Sequence, residues 1–261
     1  MTASLAFEWV TRLIGLTVML QSIELLQLRR MWRAGGRFDW QLVGQEFSTA
    51  PRWVRAPLGV LLGESGFGPL LTTRLLVAAY TLGTGATGGL SVLLLTTALI
   101  AIRWRGTFNG ASDSMTLLIL LALTVSAALP EVELLRLAAL LHIAIQTLLS
   151  YFIGGLVKVR GPRWRSGAVL NDFLSSSRYS VPPLATKLSR RSGLMRAAAW
   201  FLMAFELAAP LTLSSPTLCI GYLSAAFGFH LLNVWLFGLN RFFWAWISAF
   251  PAVYFASTLF G

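Results

Sequence analysis

Eight times along this chain a predominantly apolar run of roughly 15 to 26 residues recurs, close to the length a helix needs to cross a bilayer's hydrocarbon core. Blocks of this kind predict an all-α, polytopic transmembrane helical bundle of about eight helices. They fall near residues 5–28, 69–84, 88–102, 114–129, 134–159, 193–213, 217–239 and 241–259. The second and third are short for a perpendicular span. The link TLGTGATGGL between them predicts a tight, tilted helical hairpin.

Composition agrees with the blocks. Charged residues make up 12% of the chain, about half the usual share of a soluble domain, so too few remain to cover a water-facing surface. The net charge of +11 would otherwise suggest nucleic acid, but such a surface needs a soluble fold beneath it, and no nucleic-acid partner is expected. Cys219 is the only cysteine, which excludes an intramolecular disulfide and a Cys-rich metal site. No Gly-rich phosphate loop, HExxH or CxxC occurs, and no metal is expected. The start MTASLAFEWVTRL lacks a basic leader, so the first apolar run is expected to be retained as a helix. One transmembrane domain over 1–261 is the expected organisation.

Two long basic connections, 29–68 and 160–192, interleave Trp with Arg, as segments lying at lipid headgroups do. Of the 21 Lys and Arg, 19 fall in or beside alternate connections; only Arg12 and Arg136 do not. The positive-inside rule then places both basic connections in the cytoplasm and both chain ends outside, in the inner membrane of a bacterium.

Ionisable groups within apolar runs cost several kcal/mol, about 2.5–3.5 at the bilayer centre on insertion scales, and each needs a reason. Glu8 and Arg12 stand four apart and are expected to pair. Glu24, Arg74 and Arg196 lie near the basic connections and are expected to snorkel. Glu206 and His230 sit deep in apolar runs with no partner in their own helices. His230, Asn233 and Phe237 share one helical stripe, which suits either interhelical hydrogen bonding or a ligand or proton site. His142 precedes Lys158 by 16 residues, about 24 Å along a helix, so the two do not share a small site. At the head of the fourth run, RWRGTFNGASDSM offers Asn109 and Asp113, with Ser112 and Asp113 suited to helix capping. Lys158 is one of two lysines against 19 arginines; a desolvated lysine can titrate near neutrality where arginine cannot.

YFIGGLVKVRGPRWRSG (151–167) and FHLLNVWLFGLNRFFWAWISAFP (229–251) resemble the membrane domain shared by vitamin K-dependent gamma-carboxylases and the HTTM proteins. The resemblance implies a quinone as cofactor and a lysine base that deprotonates the reduced form, and Lys158 falls at that position. A histidine that follows an asparagine in the carboxylases is missing here, because Asn109 is followed by GASDSM. Their extramembrane substrate domain does not follow the bundle within these 261 residues. The resemblance also implies chemistry on the lumenal side, whereas charge placement puts Lys158 on the cytoplasmic side.

The expected function is therefore a lipid- or quinone-binding, or complex-assembly, membrane subunit without full carboxylase activity. Its partners would be membrane lipids and a membrane protein. The alternative is a membrane enzyme using a quinol, with Lys158 as candidate base and Asn109, Asp113, Glu206, His230 and Asn233 shaping the pocket. A transporter is disfavoured, since neither an inverted repeat nor a pair of broken helices in corresponding halves is evident.

Overall fold

The computed structural model describes residues 1–104, 111–176, 179 and 181–261, and within them the chain is all-helical. Fifteen α-helices follow in order. α1 (Ala3–Gln27) leads into the first connection, with α2 (Arg29–Trp32), α3 (Trp40–Val43) and α4 (Arg52–Leu62). α5 (Glu64–Thr84), α6 (Leu90–Arg103), α7 (Ser112–Ala128) and α8 (Glu133–Arg160) are the next long apolar helices. The second connection holds α9 (Pro162–Arg165), α10 (Ala168–Leu174) and α11 (Pro183–Ser189). α12 (Ser192–Leu207), α13 (Pro216–Phe237), α14 (Asn240–Ile247) and α15 (Phe250–Phe260) complete the chain.

Every expected apolar run carries helix, with three local departures near prolines. Pro69 lies inside α5, which starts five residues earlier at Glu64, rather than opening it. The last run is broken between α14 and α15 just before Pro251, whose ring cannot continue a regular helix across that point. Pro210 likewise accompanies the change from α12 to a 3-10 turn over Ala209–Ser214.

Among the described residues four segments are long and apolar enough to cross a membrane: Ala3–Gln27, Glu133–Arg160, Pro216–Phe237 and Asn240–Phe260. The third is the most telling. Only 11% of its apolar window is buried, and Leu218, Ile220, Phe227, Leu231, Leu232 and Trp235 are exposed. An apolar exterior on that scale belongs in lipid, not water. This is a membrane protein.

The chain divides into two compact units, Phe7–Arg136 and the pair of segments Met1–Ala6 with Leu137–Gly261. In the N-terminal unit, Val10, Ile14 and Val18 recur along one face of α1 and are fully buried. A Cβ on Gly15 would stand 2.9 Å from the backbone nitrogen of Leu82, so only glycine lets α1 and α5 approach so closely. Arg12 pairs with Glu8 at 2.8 Å as expected. It also donates to the carbonyls of Leu82, Gly83 and Thr84, satisfying the C-terminal end of α5.

Arg74 overturns an expectation. It does not snorkel; it is 1% exposed and donates to Ser22 Oγ (3.0 Å), Gln21 Oε1 (2.9 Å) and Thr97 Oγ1 (3.1 Å). Gln21 Nε2 passes the network on to Thr116 Oγ1 at 3.1 Å. Four helices are thereby joined by one polar cluster, since in lipid each of these groups must find its partner inside the protein.

The first connection is held down by Arg103 at the end of α6. Its guanidinium donates to the carbonyls of Phe38 (3.0 Å), Leu62 (2.5 Å) and Trp32, and lies 4.2 Å from the Phe67 ring centroid. Around it, Trp32, Phe38, Leu62, Phe67 and Trp104 form a buried apolar cluster. Asp39 shapes the same turn by accepting from the N–H groups of Gln41 and Gly35. Those two bonds, with Arg103 nearby, hold its carboxyl below the ordinary range.

Candidate functional site

In the C-terminal unit a row of residues along one face of α8 meets polar groups from two other helices. Tyr151, Gly155 and Lys158 are spaced at i, i+4 and i+7, so they lie in one row along the helix. α12 presents a matching row, Met195, Ala199, Met203 and Glu206, all buried. α13 contributes Tyr222 and the fully buried His230.

Small residues make the meeting of α8 and α12 possible. A Cβ on Gly155 would come within 3.0 Å of Glu206 Cβ and of the Leu207 backbone nitrogen. One on Gly154 would meet nothing nearer than Lys158 Nζ at 3.4 Å. Gly155→Ala is therefore expected to destabilise the fold by about 1–3 kcal/mol through overpacking. Gly154→Ala is expected to be neutral or to gain up to about 1 kcal/mol in helix propensity. Thermal unfolding of the two detergent-purified variants checks this, and equal effects would refute the close-approach explanation.

At this crossing Lys158 Nζ lies 2.7 Å from both oxygens of Glu206. The two side chains are 19% and 7% exposed, so their charges neutralise each other largely out of solvent. The Trp164 ring centroid is 5.3 Å from the same amine. Glu206, which has no partner in its own helix, thus finds one 48 residues away in sequence.

About two turns before Lys158 on α8, Tyr151 Oη and His230 Nε2 are 2.5 Å apart, with the donor set by the imidazole tautomer. Aromatic rings enclose the pair. Tyr151 meets Phe205 edge-on at 5.8 Å and Tyr222 at 5.9 Å, and Phe205 stacks on Tyr222 at 4.8 Å and 10°. Phe242 and Trp246 lie 4.8 and 5.8 Å from the His230 ring. Two polar atoms in this surround, His230 Nδ1 and Tyr222 Oη, are buried with no hydrogen-bond partner among the described residues. Such orphans are costly and call for an explanation.

The other sequence candidates lie elsewhere. Asn233 is half-buried and turns its amide Nδ2 back to the Phe229 carbonyl of its own helix at 2.9 Å. Asp113 is in the first turn of α7, in the N-terminal unit, where its charge complements the helix dipole. Among the described residues no side-chain cap bond at α7 matches the capping expected of Ser112 and Asp113, and the Ser112 hydroxyl is buried with no partner there. Asn109 lies outside the described residues. His142 is exposed on α8, apart from Lys158.

Sequence reading missed Tyr151 and Tyr222 as members of this cluster. For Tyr151 a signal was there, because it leads the row shared with Gly155 and Lys158. Nothing in the sequence marked Tyr222, whose role depends on which helices are neighbours.

Helices that expose apolar surface and enclose a lysine–carboxylate pair and a tyrosine–histidine pair define a membrane protein with an enclosed polar cluster. The family profile described as the HTTM domain matches residues 131–258. That stretch, a little under half of the chain, is similar to HTTM domains and contains Tyr151, Lys158, Glu206, Tyr222 and His230. No curated protein and no solved structure matches the chain.

Proposed function

We propose that this is a multi-pass protein of a bacterial inner membrane whose HTTM unit binds a quinone- or lipid-class ligand and does not run a full carboxylase reaction. The whole chain, 1–261, works in this reading as one membrane domain, with its basic connections in the cytoplasm and both ends outside. The observation that carries it is the pair of orphaned atoms, His230 Nδ1 and Tyr222 Oη, buried among aromatic rings. A planar ring bearing carbonyl or hydroxyl oxygens supplies partners for both atoms and stacking surface for the side chains around them.

The residues present therefore fit a quinone. His230 and Tyr222 would hold its polar groups, with Phe205, Phe242 and Trp246 beside its ring. When bound, a quinone supplies a centre that takes up two electrons and two protons. Lys158 favours binding over catalysis, because its amine already donates to both oxygens of Glu206 and a base must first lose that proton. The enzymatic alternative, with Lys158 as base for oxygenation or carboxylation, rests on its place in the HTTM-matched stretch. It expects Lys158→Ala to abolish turnover while expression is retained.

Native mass spectrometry on protein extracted gently from its own membranes tests the proposal. The wild type is expected to carry a quinone- or lipid-sized adduct that His230→Ala and Tyr222→Phe lose and that Leu231→Ala, a change on the exposed face of α13, retains. A wild type with no small-molecule adduct that instead holds a stoichiometric polypeptide would refute ligand binding and make this an assembly subunit.

A further inference from the structure

The N-terminal unit contains a cavity of about 600 Å³ where α1 turns into α2 beside the first turns of α5. Its charges come from Arg29, Arg33 and Glu64, and Gly68, Thr72 and Thr73 form its wall. We propose that it binds the headgroup of a membrane phospholipid that carries both a phosphate and an ammonium. The proposal does not rest on the HTTM-unit ligand, since none of these residues belongs to that unit.

Charge complementarity selects the headgroup. Arg29 and Arg33 are exposed, and their side chains have no hydrogen-bond or ion-pair partner among the described residues. Two guanidiniums at one opening suit a phosphate, whose oxygens accept their paired N–H groups. Glu64, the first residue of α5, brings a carboxylate to the same cavity. A purely anionic group would be repelled by it, whereas an ammonium two carbons from the phosphate is attracted. The charges of such a headgroup, one negative and one positive, therefore meet opposite charges on the protein.

The wall of the cavity distinguishes a lipid from a free phosphate. Glu64, Gly68, Thr72, Leu76 and Tyr80 recur every four residues and so form one ridge of α5. The ridge is polar at the cavity and apolar beyond it, where Leu76 and Tyr80 are 65% and 56% exposed. An amphiphile lying on this ridge puts its head between the arginines and Glu64 and its chain along Leu76 and Tyr80. Gly68 keeps the wall open: a Cβ there would meet only the Trp32 ring, at 3.8 Å. The volume is that of a small-molecule site.

The test is native mass spectrometry of the full chain, delipidated in detergent and titrated separately with phosphatidylethanolamine, phosphatidylglycerol, phosphoethanolamine and inorganic phosphate. Phosphatidylethanolamine is expected to bind about tenfold or more tightly than phosphatidylglycerol, and both free headgroup compounds far more weakly. Arg29→Gln with Arg33→Gln should remove binding of both lipids. Glu64→Gln should abolish the preference for phosphatidylethanolamine while keeping lipid bound, and Gly68→Leu should exclude lipid by filling the cavity. The charged side chains exchanged are exposed, and an unchanged unfolding temperature confirms that each variant is folded. Equal binding of the two lipids by the wild type, or binding unaffected by the arginine changes, would overturn the proposal. So would phosphoethanolamine binding as tightly as the lipid, since the apolar ridge would then contribute nothing.

Discussion

Glu206→Ala is expected to destabilise the protein by about 3–5 kcal/mol, because it strands the Lys158 ammonium where only 19% of its side chain reaches solvent. For a chain of this size that corresponds to a fall in unfolding temperature on the order of 10 °C. Lys158→Met combined with Glu206→Leu should cost much less than either single change, since it removes both charges and leaves apolar side chains of similar volume. The two outcomes separate a neutralising pair from two independent contributions. A double variant as unstable as Glu206→Ala would show that the pair is not what holds α8 and α12 together. Thermal unfolding in detergent, analysed as a double-mutant cycle, gives the coupling directly.

Arg103→Met should be of similar severity. Three buried carbonyls, those of Trp32, Phe38 and Leu62, lose their donor at once, and an orphaned buried acceptor costs about 1–3 kcal/mol. Arg103→Lys keeps the charge but cannot present a rigid planar fork to three acceptors in different directions, so most of the loss should remain. Limited proteolysis is the more specific readout. Cleavage within residues 33–52 should accelerate in both variants, because Arg103 ties that connection to α6. Wild-type protease resistance in Arg103→Lys would mean that charge alone anchors the segment.

Both effects depend on residues whose importance the chain announces only in part. Glu206 stood out because a carboxylate inside an apolar run needs a partner, yet the run could not say that the partner was Lys158. Arg103 gave less warning still, since an arginine at the end of an apolar helix usually reaches for the headgroups. In the fold it turns inward, because the backbone of the first connection offers three carbonyls to its guanidinium. Arg74 illustrates the same point: snorkelling is the common solution near an interface, but Gln21, Ser22 and Thr97 make an internal one available.

What the sequence by itself determined is the part governed by local physics. Apolar run length specified helices suited to lipid, whereas the breaks after α12 and between α14 and α15 emerged only in the fold. Helical spacing placed Glu8 with Arg12, and His230 with Asn233, on common faces. The motifs at 151–167 and 229–251 located the HTTM resemblance that the family profile bears out over 131–258. Tertiary structure alone decided the pairings of Lys158 with Glu206, Tyr151 with His230, and Arg103 with three distant carbonyls. Each joins groups tens of residues apart, so it depends on which helices become neighbours. That choice is made by close packing at points such as Gly15 and Gly155, where the absence of one methyl group sets the distance between backbones.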